Sequence, residues 1–139
     1  MTGNSKQVDL EKYAVFVDGV TSNPSKDYKS FLDSIKYLDG EGSNIQRLLT
    51  AAVGISAEGG EFMEIVKKML FQGKPWNDDN REHLIIELGD VMWYVMQACK
   101  ALDVSLDEVI AGNVEKLKKR YPGGDFDVYH SENRAADDR

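Results

Sequence analysis

Two pairs of acidic residues with the same spacing are the part of this sequence best suited to chemistry. The pairs read Glu58-Gly-Gly-Glu61 and Glu87-Leu-Gly-Asp90. Residues three positions apart lie on one side of an α-helix, so each pair would present two carboxylates on one face. Four converging carboxylates repel each other unless cations neutralise them, and hard divalent cations prefer oxygen ligands. The pattern therefore predicts a metal site; the alternative is that all four acids are solvated helix-surface charges.

Glycine precedes the second acid of both pairs, and in the first pair Gly59 and Gly60 stand together. A glycine inside a helix costs roughly 1 kcal/mol relative to alanine, so two in succession indicate that the space of a side chain is needed. We expect these small residues to let two helices approach closely and to leave open volume beside the acids.

The histidines and the cysteine offer less. A di-iron carboxylate bundle requires a Glu-x-x-His motif on two helices, and neither His83 nor His130 follows a glutamate at that spacing. Redox iron is therefore not expected, and His83 is interpreted as an exposed residue. The single cysteine, Cys99, lies in an apolar stripe and is expected in the core. One cysteine excludes an intrachain disulfide and fits a reducing compartment, so we expect a cytoplasmic protein.

Apolar residues recur at helical spacing along most of the chain, and no strand pattern of useful length occurs. Ser25 is the predicted N-cap of the second helix, and Ser105 with Glu108 forms a capping-box pattern that begins the fifth. Short loops between amphipathic helices favour antiparallel neighbours, so the predicted fold is an all-α antiparallel helix bundle of about four to five helices. The predicted helices cover about residues 10–17, 25–40, 44–72, 79–102 and 105–120.

One apolar stripe on each of the two longest helices is expected to form the core. On the third predicted helix the stripe contains Leu48, Ala52, Ile55, Gly59, Phe62, Val66 and Met69. On the fourth it contains Leu84, Leu88, Val91, Val95, Cys99 and Leu102. We expect residues 1–127 to form a single all-α domain, followed by a polar, frayed tail over residues 128–139.

The charge balance limits the kinds of partner. The 139 residues carry a net charge of −7, with a pI of about 4.8, so the chain lacks a basic footprint for stable nucleic-acid binding. No apolar run approaches the roughly 20 residues that span a bilayer, and no membrane association is expected. A small phosphorylated ligand remains compatible with this charge, because bound metal ions invert the local field.

The fifth predicted helix carries Asn113, Lys116 and Arg120 on one stripe. Lysine and arginine could hold phosphate oxygens there. The alternative is that these cations complement the dipole at the C-terminus of their helix.

The segments GISAEGGEFMEIVKK, IIELGDVMWYV and VSLDEVIAGNVEKLKKRYP, taken in this order, resemble the MazG-like, all-α nucleoside triphosphate pyrophosphohydrolases. The family pattern is an E-x-x-E pair, then E-x-x-D, then N-x-x-K-L-x-x-R-Y. The resemblance covers residues 54–122, about half of the chain, and fades across residues 1–44.

The resemblance implies hydrolysis of a ribo- or deoxyribonucleoside triphosphate between the α and β phosphates, which gives a monophosphate and pyrophosphate. Mg²⁺ would be the cofactor, with Mn²⁺ as an alternative, held by Glu58, Glu61, Glu87 and Asp90. One glutamate, Glu61 or Glu58, would help to deprotonate the attacking water. The implied substrate-binding residues are Tyr94 and Asn113 for the nucleotide, Lys116 and Arg120 for the phosphates, and Lys67 or Lys68 in support.

The resemblance also implies a homodimer or homotetramer and a substrate cover formed by the N-terminal helices, residues 1–43. Glu64, one turn beyond Glu61, is either a further acid of the metal site or a surface charge. Two other functions stay open: hydrolysis of alarmone or modified nucleotides, and a catalytically silent bundle that only binds a nucleotide.

Overall fold

The computed structural model describes residues 7–134 and residue 136, and all the regular structure in this part of the chain is helical. The predicted all-α class is therefore confirmed, with two short helices, α2 and α7, added to the five that the pattern predicted. The chain divides into two compact units, residues 1–43 and 44–139. The helices are α1 (Leu10–Gly19), α2 (Asn23–Lys26), α3 (Tyr28–Gly40), α4 (Ile45–Phe71), α5 (Asp78–Leu102), α6 (Leu106–Arg120) and α7 (Val128–Glu132).

The first unit contains α1 to α3, and its main helix begins later than the sequence suggested. The predicted N-cap at Ser25 is wrong, because Ser25 lies inside the short helix α2 and Asp27 caps α3. The Asp27 carboxylate accepts hydrogen bonds from the Ser30 backbone N–H (2.9 Å) and hydroxyl (2.8 Å). The first of these is the main reason that the pKa of Asp27 is lowered. A charged acceptor with two donors makes a stronger cap than the Ser25 hydroxyl would.

Side-chain caps set the ends of the long helices of the second unit close to the predicted positions. Asn44 accepts from the Arg47 N–H (3.3 Å) at the start of α4, and Asn77 accepts from the Asn80 N–H (2.9 Å) at the start of α5. Ser105 Oγ accepts from the backbone N–H three residues later (3.1 Å), as the capping-box pattern predicted for α6. These caps satisfy donors that every helix N-terminus leaves unpaired.

Helices α4 and α5 form a closely packed antiparallel pair in which Gly54 of α4 lies directly against Tyr94 of α5. A Cβ atom built on Gly54 would overlap the ring of Tyr94, whereas one built on Gly59, Gly60 or Gly89 would meet no atom within 4 Å. The expectation that the glycines of the acidic pairs bring the helices together is therefore wrong. The residue that needs to be glycine stands one turn before the first pair, and the paired glycines border open space.

The buried face of α4 also differs from the predicted one. Ala51 (2% exposed), Ile65 (5%) and Cys99 (4%) are the buried hydrophobic residues of the described part of the chain. The core position predicted for Cys99 is confirmed, but several members of the predicted stripes are exposed: Ala52, Ile55, Leu88 and Leu102. The reason is steric, because α5 packs on the α4 face that carries the small residues Ala51 and Gly54, and the predicted stripe beside it is only half-buried at Leu48, Phe62, Val66 and Met69.

The last two helices complete the second unit. Helix α6 packs extensively against neither α4 nor α5 and exposes Val109, Ile110, Val114 and Leu117. The segment that was expected to be frayed contains α7, so that expectation is wrong for residues 128–132. The Asp127 carboxylate caps α7 by accepting from the His130 N–H (3.2 Å) and lies 3.2 Å from the His130 ring. Of the predicted tail, residues 135 and 137–139 lie outside the described residues.

None of the described helices combines the length and the apolar character that crossing a bilayer requires.

Replacing Gly54 by alanine should destabilise the protein, because the added methyl group forces the Tyr94 ring out of place. We expect a loss of about 1–3 kcal/mol in the free energy of unfolding, measured by urea denaturation. Gly60→Ala on the same helix is the matched control, and it should stabilise by about 0.5–1 kcal/mol because its Cβ meets open space. Equal stabilisation by both substitutions would mean that the helices do not meet at Gly54.

Candidate metal centre

Three of the four predicted acids converge where α4 faces α5. One carboxylate oxygen from each of Glu58, Glu87 and Asp90 lies within 4.8 Å of the other two. Glu58 comes from α4, and the other two come from α5. The sequence separated these helices by a loop, and the packing brings the two motifs into one cluster, which we call the acid cluster.

The register of the helix pair explains this convergence. Gly54 lies against Tyr94, so in an antiparallel pair the residue one turn after Gly54 faces the residue one turn before Tyr94. Those residues are Glu58 and Asp90. Three residues after Glu58 on α4 stands Glu61, and three residues before Asp90 on α5 stands Glu87, so the same register places these two residues near each other along the helix pair. The contact that needs a glycine thus sets the positions of the acids.

The acid cluster is crowded with negative charge. The Glu87 side chain is 13% exposed, Glu58 is half-buried, and Asp90 is exposed. Desolvation raises the pKa of Glu58, and a hydrogen bond with Glu87 and the charges of Asp90, Glu87 and Glu61 raise it further. A proton on Glu58, donated to Glu87 in a hydrogen bond, therefore relieves repulsion that a cation would otherwise relieve.

The chemistry of this donor set fits a hard divalent cation. All three groups are carboxylates, and oxygen ligands of this kind suit Mg²⁺ or Mn²⁺. Glu58, Glu87 and Asp90 are the residues that could hold such an ion. Glu61 lies outside the cluster and is exposed, although its charge reaches Glu58.

One contact of the acid cluster was missed by sequence reasoning. The Nε2 atom of His83 lies 3.2 Å from Glu87 Oε1. The His83 side chain is 51% exposed, which agrees with the interpretation from sequence, but it is not an isolated surface group. The four-residue spacing on α5 was the available signal, because such residues are neighbours on a helix.

Glu64 belongs to a different set of charges. Its Oε2 lies 3.1 Å from Lys67 Nζ, and its Oε1 lies 3.5 Å from Lys68 Nζ. The hydrogen bond from Lys67 is the main reason that the pKa of Glu64 is lowered, and Lys68 adds to the effect. Glu64 is not one of the converging acids and instead holds the two lysines that were predicted to support phosphate binding.

The other predicted substrate-binding residues lie on α5 and α6. Tyr94 is adjacent to the acid cluster: its ring covers Gly54 and meets Trp93 edge-on, with 4.9 Å between ring centroids. Asn113 is exposed on α6, and Lys116 and Arg120 are half-buried there. Helix α6 packs extensively against neither α4 nor α5, the two helices that carry the acids.

The stability of the metal-free protein should depend on pH because of the repulsion between the carboxylates of the acid cluster. The pKa of Glu58 is raised above its ordinary value of 4.5, so the folded state binds more protons than the unfolded state above that pH. The free energy of unfolding should therefore fall as the pH rises from about 4.5 through the raised pKa. The acids with lowered pKa values act at lower pH: Asp27, Glu64 and Asp127.

Urea denaturation in the presence of a chelator, across this pH range, measures the effect. Glu58→Gln should remove the fall in the free energy of unfolding. Glu82→Gln, at an exposed position outside both acidic pairs, should keep it. A wild-type curve that rises throughout this range would contradict the prediction.

The chain is similar to a known protein family and to a phage protein. Residues 46–124 match the family model of the MazG nucleotide pyrophosphohydrolase domain. The chain is 40% identical over 86 residues to the Gene 37 protein of Mycobacterium phage L5, an alignment that covers 61% of this chain and 75% of the phage protein. No solved structure matches. The family match spans α4 to α6 and includes both acidic pairs, so the chain belongs to the MazG nucleotide pyrophosphohydrolase family.

Proposed function

We propose that this chain is a Mg²⁺-dependent nucleoside triphosphate pyrophosphohydrolase. It would cleave a ribo- or deoxyribonucleoside triphosphate between the α and β phosphates and release a nucleoside monophosphate and pyrophosphate. The observation that carries the proposal is the convergence of three carboxylate oxygens within 4.8 Å in a chain of this family. Mn²⁺ is the alternative cofactor.

The acid cluster is the proposed metal centre. Glu58, Glu87 and Asp90 would hold the cation, whereas Glu61, which the resemblance implied as a fourth ligand, lies outside the cluster and has a different proposed role. When bound, the cation would polarise the phosphoryl oxygens and lower the pKa of the attacking water. The chain's own contribution is to hold the carboxylates together, which it does through the register set at Gly54 and Tyr94.

Glu61 is the proposed general base. It is exposed, it lies outside the acid cluster, and it stands on the same helix one turn beyond Glu58. In the proposed reaction, Glu61 accepts a proton from water as the water oxygen bonds to phosphorus and the α–β bridge breaks. Glu58 is the second carboxylate that could take this proton.

Substrate recognition would use residues from two parts of the second unit. Tyr94 lies beside the acid cluster, and Lys68 is held on α4 by Glu64 at 3.5 Å. The residues on α6 that would bind the nucleotide and its phosphates are Asn113, Lys116 and Arg120.

A homodimer or homotetramer would complete the site. Helix α6 does not pack along the α4–α5 pair, so its cations would meet an acid cluster through the packing of subunits. Large apolar residues are exposed on all three helices, among them Leu88 (53%), Trp93 (57%) and Ile110 (53%). Exposed apolar side chains in this number would be covered by a partner subunit, because larger apolar surfaces of soluble proteins are commonly interaction sites.

Turnover against a panel of nucleotides tests the reaction. With Mg²⁺ present, at least one canonical NTP or dNTP should give equal amounts of monophosphate and pyrophosphate, resolved by ion-exchange chromatography. Water labelled with ¹⁸O would show which product receives the new oxygen and hence which phosphorus is attacked. If only (p)ppGpp or a modified nucleotide turns over, the substrate class changes. Tight nucleotide binding without any product would identify a silent binding bundle.

Neutral, isosteric substitutions should separate the two kinds of carboxylate. Glu61→Gln should lower kcat by about 10²–10⁴-fold while leaving cation affinity close to that of the wild type, since an amide cannot accept the proton. Asp90→Asn should abolish turnover and weaken cation binding together. Glu82→Gln is the matched control on α5 and should retain activity. Full activity in either acidic-pair variant would contradict the assignment, and lost cation affinity in Glu61→Gln would make Glu61 a ligand.

The assembly can be measured directly. Sedimentation equilibrium of the wild-type chain should give a mass of two or four copies, because association removes exposed apolar side chains from water. Trp93→Glu replaces an exposed apolar side chain of α5 by a charged one, and it should lower the measured mass toward that of one copy. A wild-type protein that remains a monomer at micromolar concentration would contradict the proposed oligomer.

A further inference from the structure

The contact between His83 and Glu87 joins an exposed imidazole to a mostly buried carboxylate. His83 Nε2 lies 3.2 Å from Glu87 Oε1, with the His83 side chain 51% exposed and the Glu87 side chain 13% exposed. Glu87 also shares a hydrogen bond with Glu58. The Glu87 carboxylate is therefore engaged from two directions, by α4 and by its own helix.

We propose that His83 is a positioning residue for the metal centre. Its Nε2–H donates a hydrogen bond to Glu87 Oε1 and holds that carboxylate in the orientation in which the acid cluster binds a divalent cation. This inference rests on the proposed function, since it assumes that the acid cluster is a cation site. It concerns a residue that lies outside both acidic pairs.

The geometry favours positioning over direct ligation. Among the described residues, the atoms that lie mutually within 4.8 Å belong to Glu58, Glu87 and Asp90, and no His83 nitrogen is part of that set. His83 instead contacts one oxygen of one member. Carboxylates that bind metals are themselves commonly held by a hydrogen bond of this kind, which fixes their orientation.

Holding Glu87 in advance has a clear physical benefit. A free glutamate side chain loses rotamer freedom when it binds a cation, and a side chain that is already ordered loses less. The imidazole donates from Nε2 both as the imidazolium and as the neutral Nε2–H tautomer. The role therefore requires no change in the charge of His83.

Calorimetric titration of the full chain with Mn²⁺, without nucleotide, tests the proposal. His83→Ala should weaken Mn²⁺ binding about tenfold, which is within the usual effect of removing such a partner. His83→Gln should restore affinity close to the wild type, since the glutamine amide nitrogen can donate from a similar position. Position 83 is exposed, and alanine and glutamine are both good helix formers, so circular dichroism should show an unchanged fold in both variants.

His130→Ala is the matched control. The ring Nδ1 of His130 also lies 3.2 Å from a carboxylate oxygen, that of Asp127, but Asp127 is not part of the acid cluster. Mn²⁺ affinity should be unchanged in this variant. Equal weakening in His83→Ala and His130→Ala would overturn the proposal, because the effect would then not pass through Glu87.

The remaining outcomes separate this inference from the proposed function. Wild-type affinity in His83→Ala would overturn the role of His83 and leave the metal centre standing. Nitrogen modulation in the electron spin-echo spectrum of the Mn²⁺-loaded protein, lost in His83→Ala, would make His83 a ligand and overturn positioning. A wild-type chain that binds no Mn²⁺ would overturn the metal centre and His83 together, whereas Mn²⁺ binding without turnover would overturn the proposed reaction alone.

Discussion

The contact between Gly54 and the ring of Tyr94 is the constraint on which the second unit depends. It lets α4 and α5 approach at one point, and in an antiparallel pair one point of contact sets the register of every turn beyond it. Glu58 lies one turn from Gly54 and Asp90 one turn from Tyr94, so the same contact brings their carboxylates together. Packing and the candidate chemistry are therefore not independent here, and a change in the helix contact would move the acids.

Repulsion between the carboxylates of the acid cluster destabilises the metal-free chain. Desolvation of Glu58 and the like charges around it raise the pKa of Glu58 and so favour a proton where the proposed enzyme would hold a cation. Groups held in unfavourable surroundings of this kind are concentrated at functional sites in proteins. His83 and the open space beside Gly59 and Gly60 fit the same interpretation, because one holds a carboxylate and the others leave room next to it.

The single chain buries little apolar surface for its size. Ala51, Ile65 and Cys99 are the buried hydrophobic residues of the described part, while α6 exposes a row of apolar side chains and packs extensively against neither long helix. The second unit has one closely packed helix pair and a third helix, α6, whose apolar side chains are exposed, so it has surfaces that suit another subunit. The cations that the resemblance associated with phosphate lie on that same α6, which links the proposed assembly to the proposed reaction.

The sequence by itself determined the five longer helices to within a few residues, the cap at Ser105 and the two acidic pairs, because these follow from local spacing and from side chains that bond within one turn. It also determined the family, since the ordered motifs lie within residues 46–124. Only the tertiary structure decided which face of α4 is buried and that Gly54, rather than Gly59 or Gly60, is the point of approach. Periodicity defines the faces of a helix but not which face its partner meets. That choice depends on the fit of side chains on two helices at once, and it decides which acids converge.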